Sequence, residues 1–195
     1  MINFKNKKIV IYGGSFNPVH IGHLITGFDL IEKLNYDYVI YIPANIPVHK
    51  NNSTILSHIH RLKMLELSIN GINNFLISDI EIKKGGISYT IDTIKKLEEL
   101  YKSDYKFGVV FGDDLLNDLS SWKDIDLLCD KTDMICMHRN VKNKIKSKYK
   151  LKWLENRIIN ISSSEIRERI KNNLPINFMV TEKVNSYIQK KKLYI

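Results

Sequence analysis

Residues 13–23 read Gly-Gly-Ser-Phe-Asn-Pro-Val-His-Ile-Gly-His, and they carry the strongest structural signal in the chain. It follows an apolar run at 9–12, which predicts a buried strand, and it precedes a helical pattern at 21–34. A strand, a tight glycine turn and a helix N-terminus together form a crevice that binds phosphate groups. His20 and His23 stand at the mouth of that crevice. The stretch therefore predicts a phosphate-binding α/β unit.

The glycines of this stretch suit such a site. Gly13 and Gly14 permit backbone torsions and close approaches that a Cβ atom would forbid, and Gly22 leaves room for a flat ligand. The alternative is a glycine turn whose histidines only cap the helix, and for either histidine alone the two interpretations are equally good. The whole string favours a binding site, because it resembles the HxGH signature of the nucleotidyltransferase superfamily. Members of that superfamily join a nucleotide to a phosphate-bearing acceptor.

The composition is that of one ordinary globular domain covering 1–195. Of the 195 residues, 44% are hydrophobic and 26% are charged. No run approaches the roughly 18 apolar residues that a membrane-spanning helix needs. The first residues also lack the pattern of a signal peptide. We therefore expect a cytoplasmic protein with no membrane partner.

The net charge of +9 predicts polyanionic ligands, either nucleotide phosphates or nucleic acid. Much of the excess is lysine in the runs 142–152 and 190–192, which lack the interleaved aromatic residues of a base-stacking surface. Such runs are typical of solvated faces, so we expect no nucleic-acid partner. Cys129 and Cys136 are too few for a zinc site and are expected to be buried thiols.

Short apolar runs alternate with segments of helical period along the whole chain. The predicted strands are 8–13, 37–43, 75–82, 105–111, 132–138 and 157–161, and the predicted helices are 21–34, 57–70, 90–101, 113–129, 162–172 and 181–191. This alternation predicts a single doubly wound, Rossmann-like sheet, mostly parallel, with helices on both faces. The segment 140–156 has the weakest pattern and fits either a surface helix or a mobile excursion. Because the polar motifs follow strands or begin helices, we expect them to converge at one edge of the sheet.

The loop after the second predicted strand, residues 43–50, reads Pro-Ala-Asn-Ile-Pro-Val-His-Lys. Its two prolines stiffen the backbone, and His49 and Lys50 offer cationic donors. A lysine at the end of a stiff loop suits the distal phosphates of a nucleoside triphosphate. Taken alone, however, the loop is more typical of an ordinary polar surface.

Residues 161–167 read Ile-Ser-Ser-Ser-Glu-Ile-Arg. Ser162 and Glu165 match a capping box, which predicts that a helix begins here. The free backbone amides of that start, the hydroxyls of Ser163 and Ser164, and the guanidinium of Arg167 would form a nest for oxyanions. A plain capping box explains Ser162 and Glu165 equally well, but it does not explain the extra hydroxyls or the arginine.

Two further segments give weaker signals. Residues 88–93, Ser-Tyr-Thr-Ile-Asp-Thr, begin a predicted helix with ordinary capping residues. Asp113 and Asp114 follow Gly112 at the end of a predicted strand, and Trp122 comes soon after. Carboxylates in that position bind ribose hydroxyls or a metal, or simply begin a helix.

In this order, along nearly the whole chain, the segments resemble bacterial nicotinate-nucleotide adenylyltransferases. Arg61 with Met64, and the tail with Tyr187 and Tyr194, match the pattern of that family as well. The resemblance implies transfer of AMP from ATP to nicotinate mononucleotide, giving nicotinate adenine dinucleotide and pyrophosphate. The acceptor phosphate is already an anionic nucleophile, so the reaction needs alignment and charge neutralisation rather than a general base.

The resemblance also implies roles for individual residues. His20 and His23 would contact the triphosphate, and His23 would bridge to the α-phosphate. The β- and γ-phosphates would be held by Lys50 and Arg167. The rest of the ATP pocket would consist of Gly13, Gly14, Ser15, Phe16, Gly22, Ser163 and Ser164, and the acceptor would contact Thr90, Asp114 and Trp122. Magnesium would arrive on the substrate phosphates, without a metal site of the protein.

Several positions depart from the family pattern, Val48 and the pair Asn140-Val141 among them. Ser15 and Asn17 replace the Thr and Asp that are often seen in the glycine turn, so the hydroxyl is kept and the carboxylate becomes an amide. Ala44 stands where a polar residue is frequent, and no ligand contact is expected from it.

Other functions stay open at this point. The same chemistry on nicotinamide mononucleotide, phosphopantetheine or FMN fits the motifs, since a carboxylate and a carboxamide differ by a single charge. A non-catalytic nucleotide sensor or RNA-binding module is a more distant alternative, and the two histidines, Lys50 and Arg167 count against it. The oligomeric state is also open, a homo-oligomer included.

Overall fold

The computed structural model describes residues 6–47, 55–101, 107–139 and 147–195. Within these ranges the strands are β1 (Ile9–Gly14), β2 (Tyr38–Pro43), β3 (Ile46–Pro47), β4 (Phe75–Ile77), β5 (Ile87–Ser88), β6 (Phe107–Gly112), β7 (Thr132–Met137) and β8 (Lys152–Leu154). The helices are α1 (Ile21–Leu34), α2 (His58–Ile69), α3 (Ile80–Lys84), α4 (Thr90–Tyr101), α5 (Ile125–Lys131), α6 (Ser163–Lys171) and α7 (Glu182–Lys191).

Six strands form one parallel sheet in the order β4-β2-β1-β6-β7-β8, and β3 pairs with β5 in a separate two-stranded sheet. The chain winds outward from β1 in one direction and then returns to start again at β6. Ligands of such sheets bind at the carboxyl ends of the strands where the winding reverses. In this protein, that point lies between β1 and β6.

Helices cover both faces of the sheet because successive residues of a buried strand point to opposite sides. Val10 and Tyr12 of β1 face a core built with α1, α2, α6 and α7, which we call the cleft face. Ile9 and Ile11 face a second core built with α4 and α5, which we call the far face. The predicted doubly wound, Rossmann-like fold with a parallel sheet is therefore confirmed.

The predicted strand at 157–161 is wrong. The last strand of the sheet is β8, which buries Leu154 beside β7, whereas 157–161 has no regular structure. Ile158 and Ile159 gave the segment its strand-like pattern, but Ile158 is 47% exposed and the chain here is held by other contacts, described below. Part of the weakly patterned segment 140–156 is thus a strand, and its first residues lie outside the described ranges.

Two other predicted elements are shorter than expected. The strand expected at 75–82 ends at Ile77, since the chain turns at Asp79 into the short helix α3. The helix expected at 113–129 consists of two 3₁₀ turns, Asp113–Leu115 and Leu119–Ser121, followed by α5. Asp124 adopts a left-handed conformation, with φ of 48°, directly before α5. This conformation breaks a continuous helix.

Both cysteines carry free thiols. Burial raises the pKa of Cys136, in β7, to about 12, and burial together with Asp126 and Asp130 raises that of Cys129. Cys136 is buried as expected, whereas Cys129 is only half-buried. The raised pKa values keep both thiols in the protonated, less reactive form. Among the described helices, the structure has none that is long and apolar enough to cross a membrane.

Candidate active site

The two histidines at the start of α1 lie side by side. Their ring centroids are 3.7 Å apart, and the rings are tilted by 37°. The backbone N–H of His20 donates to Nδ1 of His23 at 3.1 Å. Because Nδ1 accepts, a neutral His23 ring must carry its proton on Nε2. The local turn thus fixes which nitrogen of His23 is the donor.

Aromatic side chains support His23 from the interior. The Phe16 ring packs edge-on against the His23 ring at 5.0 Å, and the Tyr12 ring lies 5.9 Å away. The Tyr41 hydroxyl donates to the His23 carbonyl oxygen at 3.2 Å. Phe16, which was predicted to contact ATP, is buried and packs against the imidazole of His23 from the protein interior.

Gly14 is required by this arrangement. A Cβ atom there would lie 3.0 Å from Cζ of Phe16, a ring that cannot shift without disturbing His23. The glycine turn therefore brings the backbone close to the aromatic support.

A cleft of about 560 Å³ opens at the carboxyl ends of β1 and β7, which is a typical size for a ligand pocket. It brings together the following predicted residues: Gly13, Gly14, Ser15, His20, Gly22, His23, Ser163, Ser164 and Arg167. The expected convergence of the glycine turn with the start of α6 is therefore present.

Helix α6 is tied to the glycine turn by its side chains. The Ser163 hydroxyl donates to the Pro18 carbonyl oxygen at 2.8 Å, and Nη1 of Arg167 donates to the Asn17 carbonyl oxygen at 2.8 Å. Ser162 caps the helix, since its Oγ accepts from the Glu165 N–H, as predicted. The N-terminus of α6 therefore faces the same cleft as the N-terminus of α1.

A buried arginine, Arg61, hydrogen-bonds to the loops that surround this site. Nε of Arg61 donates to the Leu56 carbonyl oxygen at 3.0 Å, and Nη1 donates to the carbonyl oxygens of Ser15 at 2.9 Å and Ala44 at 2.8 Å. Burial lowers the pKa of Arg61 from its usual value. Sequence reasoning noted Arg61 only as part of a pattern and gave it no role. One guanidinium joins three loops.

The amide of Asn17 is a second hub. Its Oδ1 accepts from the Leu56 N–H at 3.2 Å and from the Tyr194 hydroxyl at 3.0 Å. Burial raises the pKa of Tyr194, so the phenol stays protonated and able to donate. The tail of the chain thus contacts the glycine turn directly.

The opposite wall of the cleft was not predicted from the sequence. It consists of residues that follow β7 and β8, namely Met137, His138, Arg139, Asn156, Arg157, Ile159, Asn160 and Ile161. The Arg139 N–H donates to Asp113 at 3.0 Å, and its Nε lies 3.4 Å from Asp114. The signal that could have found this wall is its place after the carboxyl ends of two strands.

The predicted acceptor residues do not line this cleft. Thr90 begins α4, and the Trp122 ring packs against Phe111 at 5.6 Å. In the part of the chain that is described, the indole N–H of Trp122 is buried without a hydrogen-bond partner. Asp114 reaches the cleft only through its contact with Arg139. The roles of these three residues therefore stay predictions, and Lys50 lies outside the described residues.

The cleft is lined mainly by groups that donate hydrogen bonds. Tyr12 lies in its lining, and burial raises the pKa of that phenol to about 12, so it is neutral near neutral pH. No group of three or more His, Cys, Asp or Glu side chains placed to hold a metal ion occurs within the described ranges. Imidazole, hydroxyl, guanidinium and helix N-terminal groups dominate, and this set suits a polyanion.

Known proteins resemble this chain in sequence and in fold. Residues 11–169 match the family described as Cytidylyltransferase-like. A relative from Borrelia garinii subsp. bavariensis, named a probable nicotinate-nucleotide adenylyltransferase, is 42% identical over 96% of this chain and 95% of its own length. A relative of the same name from Borreliella afzelii is 41% identical over 96% of this chain and 97% of its own length.

A solved structure agrees with these relatives. Plasmodium falciparum nicotinic acid mononucleotide adenylyltransferase complexed with NaAD has a TM-score of 0.77 and 27% sequence identity, covering 96% of this chain and 97% of its own. The fold and the cleft are thus of the cytidylyltransferase-like class. Within that class, the chain belongs to the nicotinate-nucleotide adenylyltransferase family.

Proposed function

We propose that the protein transfers the AMP group of ATP to nicotinate mononucleotide, giving nicotinate adenine dinucleotide and pyrophosphate. The observation that carries this proposal is the convergence of two imidazoles, the N-terminus of α6 and Arg167 on one cleft. The names of the full-length relatives, and the NaAD bound to the Plasmodium falciparum enzyme, support the same reaction.

The reaction joins two polyanions, so holding them in line is the main task of the site. A phosphate oxygen of the acceptor attacks the α-phosphorus of ATP, the bond from that phosphorus to the bridging oxygen breaks, and pyrophosphate leaves with the electron pair. No proton has to be removed from the nucleophile. The donor-rich cleft and the neutral phenol of Tyr12 are consistent with catalysis by positioning and by stabilisation of negative charge.

His23 is the residue to which we assign the largest role. Its Nδ1 accepts from the His20 N–H, so in the neutral ring Nε2 carries the proton and is the nitrogen that donates. A donor aimed at the oxygen between the α- and β-phosphates stabilises the charge that develops there. His20, whose ring lies 3.7 Å away, would contact the neighbouring phosphate oxygens.

The distal phosphates would lie against α6. The N–H groups of the first helical turn have no partner within the helix and favour an anion. Arg167 spans from Ser164 to the glycine turn, and its guanidinium lines the cleft. We propose that Arg167, with Lys50, holds the β- and γ-phosphates, and that magnesium arrives bound to phosphate oxygens.

The acceptor is proposed to bind beside Thr90, Asp114 and Trp122. Trp122 offers a flat ring for a pyridine, and its buried indole N–H has no hydrogen-bond partner among the described residues. Asp114 is joined to the cleft through Arg139. These contacts would place the acceptor phosphate toward the histidines.

A pyrophosphate-release assay against a panel of acceptors tests the proposal. We expect ATP with nicotinate mononucleotide to give the highest kcat/KM, with nicotinamide mononucleotide clearly lower. A higher kcat/KM for nicotinamide mononucleotide or phosphopantetheine would replace the acceptor while keeping the chemistry. No pyrophosphate with any acceptor, together with tight RNA binding, would overturn the enzymatic function. Cytoplasmic residence stays a prediction and is consistent with ATP as a substrate.

A further inference from the structure

The carboxylate of Asp29 is fully buried in α1, less than two turns after His23. A buried carboxylate is costly unless charged partners and hydrogen bonds surround it. Its Oδ2 accepts from the Arg157 backbone N–H at 2.8 Å, and its Oδ1 accepts from Nε of Arg157 at 3.0 Å. Nη2 of Arg157 is 2.9 Å from the same Oδ1, and Nζ of Lys33 is 3.4 Å away. One residue of another segment therefore supplies most of the contacts.

That segment, residues 155–161, belongs to no helix or strand. Its beginning is held by Lys33, which donates to the Glu155 carbonyl oxygen, and by Asn156, which bonds both the N–H and the carbonyl of His138 at 2.8 Å. Arg157 then anchors it to α1. The position and shape of the segment therefore depend on side-chain contacts rather than on a backbone ladder.

The same segment is a wall of the cleft. Asn156, Ile159 and Ile161 all line it. A Cβ atom on Gly22 would lie 3.6 Å from Cγ2 of Ile159, so the wall runs directly across the N-terminus of α1. The chain then continues into α6 and the serines of the proposed triphosphate site. Helix α1 thus carries the histidine pair at its start and fixes the facing wall through Asp29.

We propose that Asp29 is a positioning residue for the nucleotide: through Arg157 it sets the width of the cleft between α1 and the segment 155–161. This inference rests on the proposed function, because it assigns the wall to ATP. The residues predicted for the acceptor lie outside this cleft, whereas most of those predicted for ATP line it. Loss of the Asp29 contact therefore raises KM for ATP and leaves KM for the acceptor unchanged.

The test compares Asp29→Asn with Glu32→Gln. Both changes remove one carboxylate charge from α1, and Glu32 also contacts Nη2 of Arg157, at 3.0 Å, but it is exposed. Since Asp29 is buried and cannot touch ATP, a kinetic effect must be indirect, and hydrogen exchange at 155–161 shows whether it acts through the wall. We expect Asp29→Asn to raise KM for ATP about tenfold, with KM for the acceptor within about twofold. Hydrogen exchange at 155–161 should become faster in Asp29→Asn only.

The inference is overturned if folded Asp29→Asn keeps the wild-type KM for ATP, behaves like Glu32→Gln, or raises both KM values equally. If Asp29→Asn does not fold, hydrogen exchange at 155–161 in Arg157→Lys decides, because a lysine keeps the charge but not the two-point contact, whereas KM for ATP is not used since Arg157 itself lines the cleft. A wild-type protein that releases no pyrophosphate would sink the proposed function instead. In that case, ATP binding by calorimetry and hydrogen exchange on the same variants still decide whether Asp29 positions the wall.

Discussion

The two faces of the sheet differ in what they bury. The cleft face encloses two charged side chains, Asp29 and Arg61, together with the amide of Asn17. The far face packs mainly aliphatic and aromatic side chains, and its ion pair of Lys131 with Glu98, at 2.8 Å, is partly exposed. The two faces belong to the same strands. The difference in their buried side chains therefore comes from the loops and helices that each face holds against the sheet.

Loops explain the difference. On the cleft face, polar side chains reach loop backbone that no strand pairs with: Arg61 bonds three carbonyl oxygens and Asp29 a backbone N–H. On the far face, α4 and α5 only need to cover strands. A buried charge here indicates a loop held in a functional position, whereas a buried aliphatic side chain indicates packing.

Arg61→Ala should give the largest loss of stability and would test whether the cleft face depends on its buried charge. We expect the free energy of unfolding to fall by about 3–5 kcal/mol, because two buried carbonyl oxygens and one part-buried one lose their donor. Urea denaturation measures the change. A loss below about 1 kcal/mol would mean that water replaces the guanidinium and that the contrast between the faces is weaker than described.

His23→Ala should lower kcat by about 10²–10³, or roughly 3–4 kcal/mol, with little change in stability. The measurement is pyrophosphate release by purified protein. His58→Ala is the matched control, since His58 is an exposed histidine on α2 outside the cleft lining. A His23→Ala protein that keeps more than about a tenth of the wild-type turnover contradicts the assigned role.

Leu128→Ala tests the far face. Leu128 is fully buried in α5, and its truncation should lower the free energy of unfolding by about 3 kcal/mol. The KM values and kcat of the folded variant should equal those of the wild type, since no residue of α5 lines the cleft. Altered KM values at full folding would show that the two faces are coupled.

Asp92→Asn should have the smallest effect, at most about 1 kcal/mol at neutral pH. Hydrogen bonds from Lys123 and Lys84 lower the pKa of Asp92. A carboxyl with a lowered folded pKa stabilises the protein above its unfolded pKa of about 3.9, and that contribution is lost as pH falls through the folded pKa. Thermal unfolding of both proteins should therefore differ at pH 7 and agree near pH 2. A difference that persists in acid would point to packing instead.

Much of the fold was predictable because buried apolar residues recur in the sequence with the period of a strand or of a helix. The apolar run of β1 and the helical period of α1 predicted both elements and the turn between them. The prediction for 157–161 was wrong because the isoleucines of this segment give it the pattern of a strand. Asp29, which lies 128 positions before Arg157, instead holds the segment against α1. The left-handed backbone conformation of Asp124 likewise cannot be recognised from the hydrophobic period of the sequence.

The site was predictable only in part. His20, His23, Ser163 and Arg167 come from short motifs whose residue types already suit phosphate groups, and they lie in one cleft. Arg61 could not be assigned its role, because an arginine in an amphipathic helix is typical of an exposed face. Its burial depends on the carbonyl groups of Ser15, Ala44 and Leu56, and the residue types at these positions do not reveal what their backbone groups bind.

The hydrogen bond from Tyr194 to Asn17 joins groups 177 positions apart. During synthesis, the glycine turn is made long before its phenol partner, which follows α7. A nascent chain that has not yet reached Tyr194 therefore lacks this hydrogen bond to the turn. A purification tag fused directly behind Ile195 would crowd this contact, so its effect on activity should be checked against the cleaved protein.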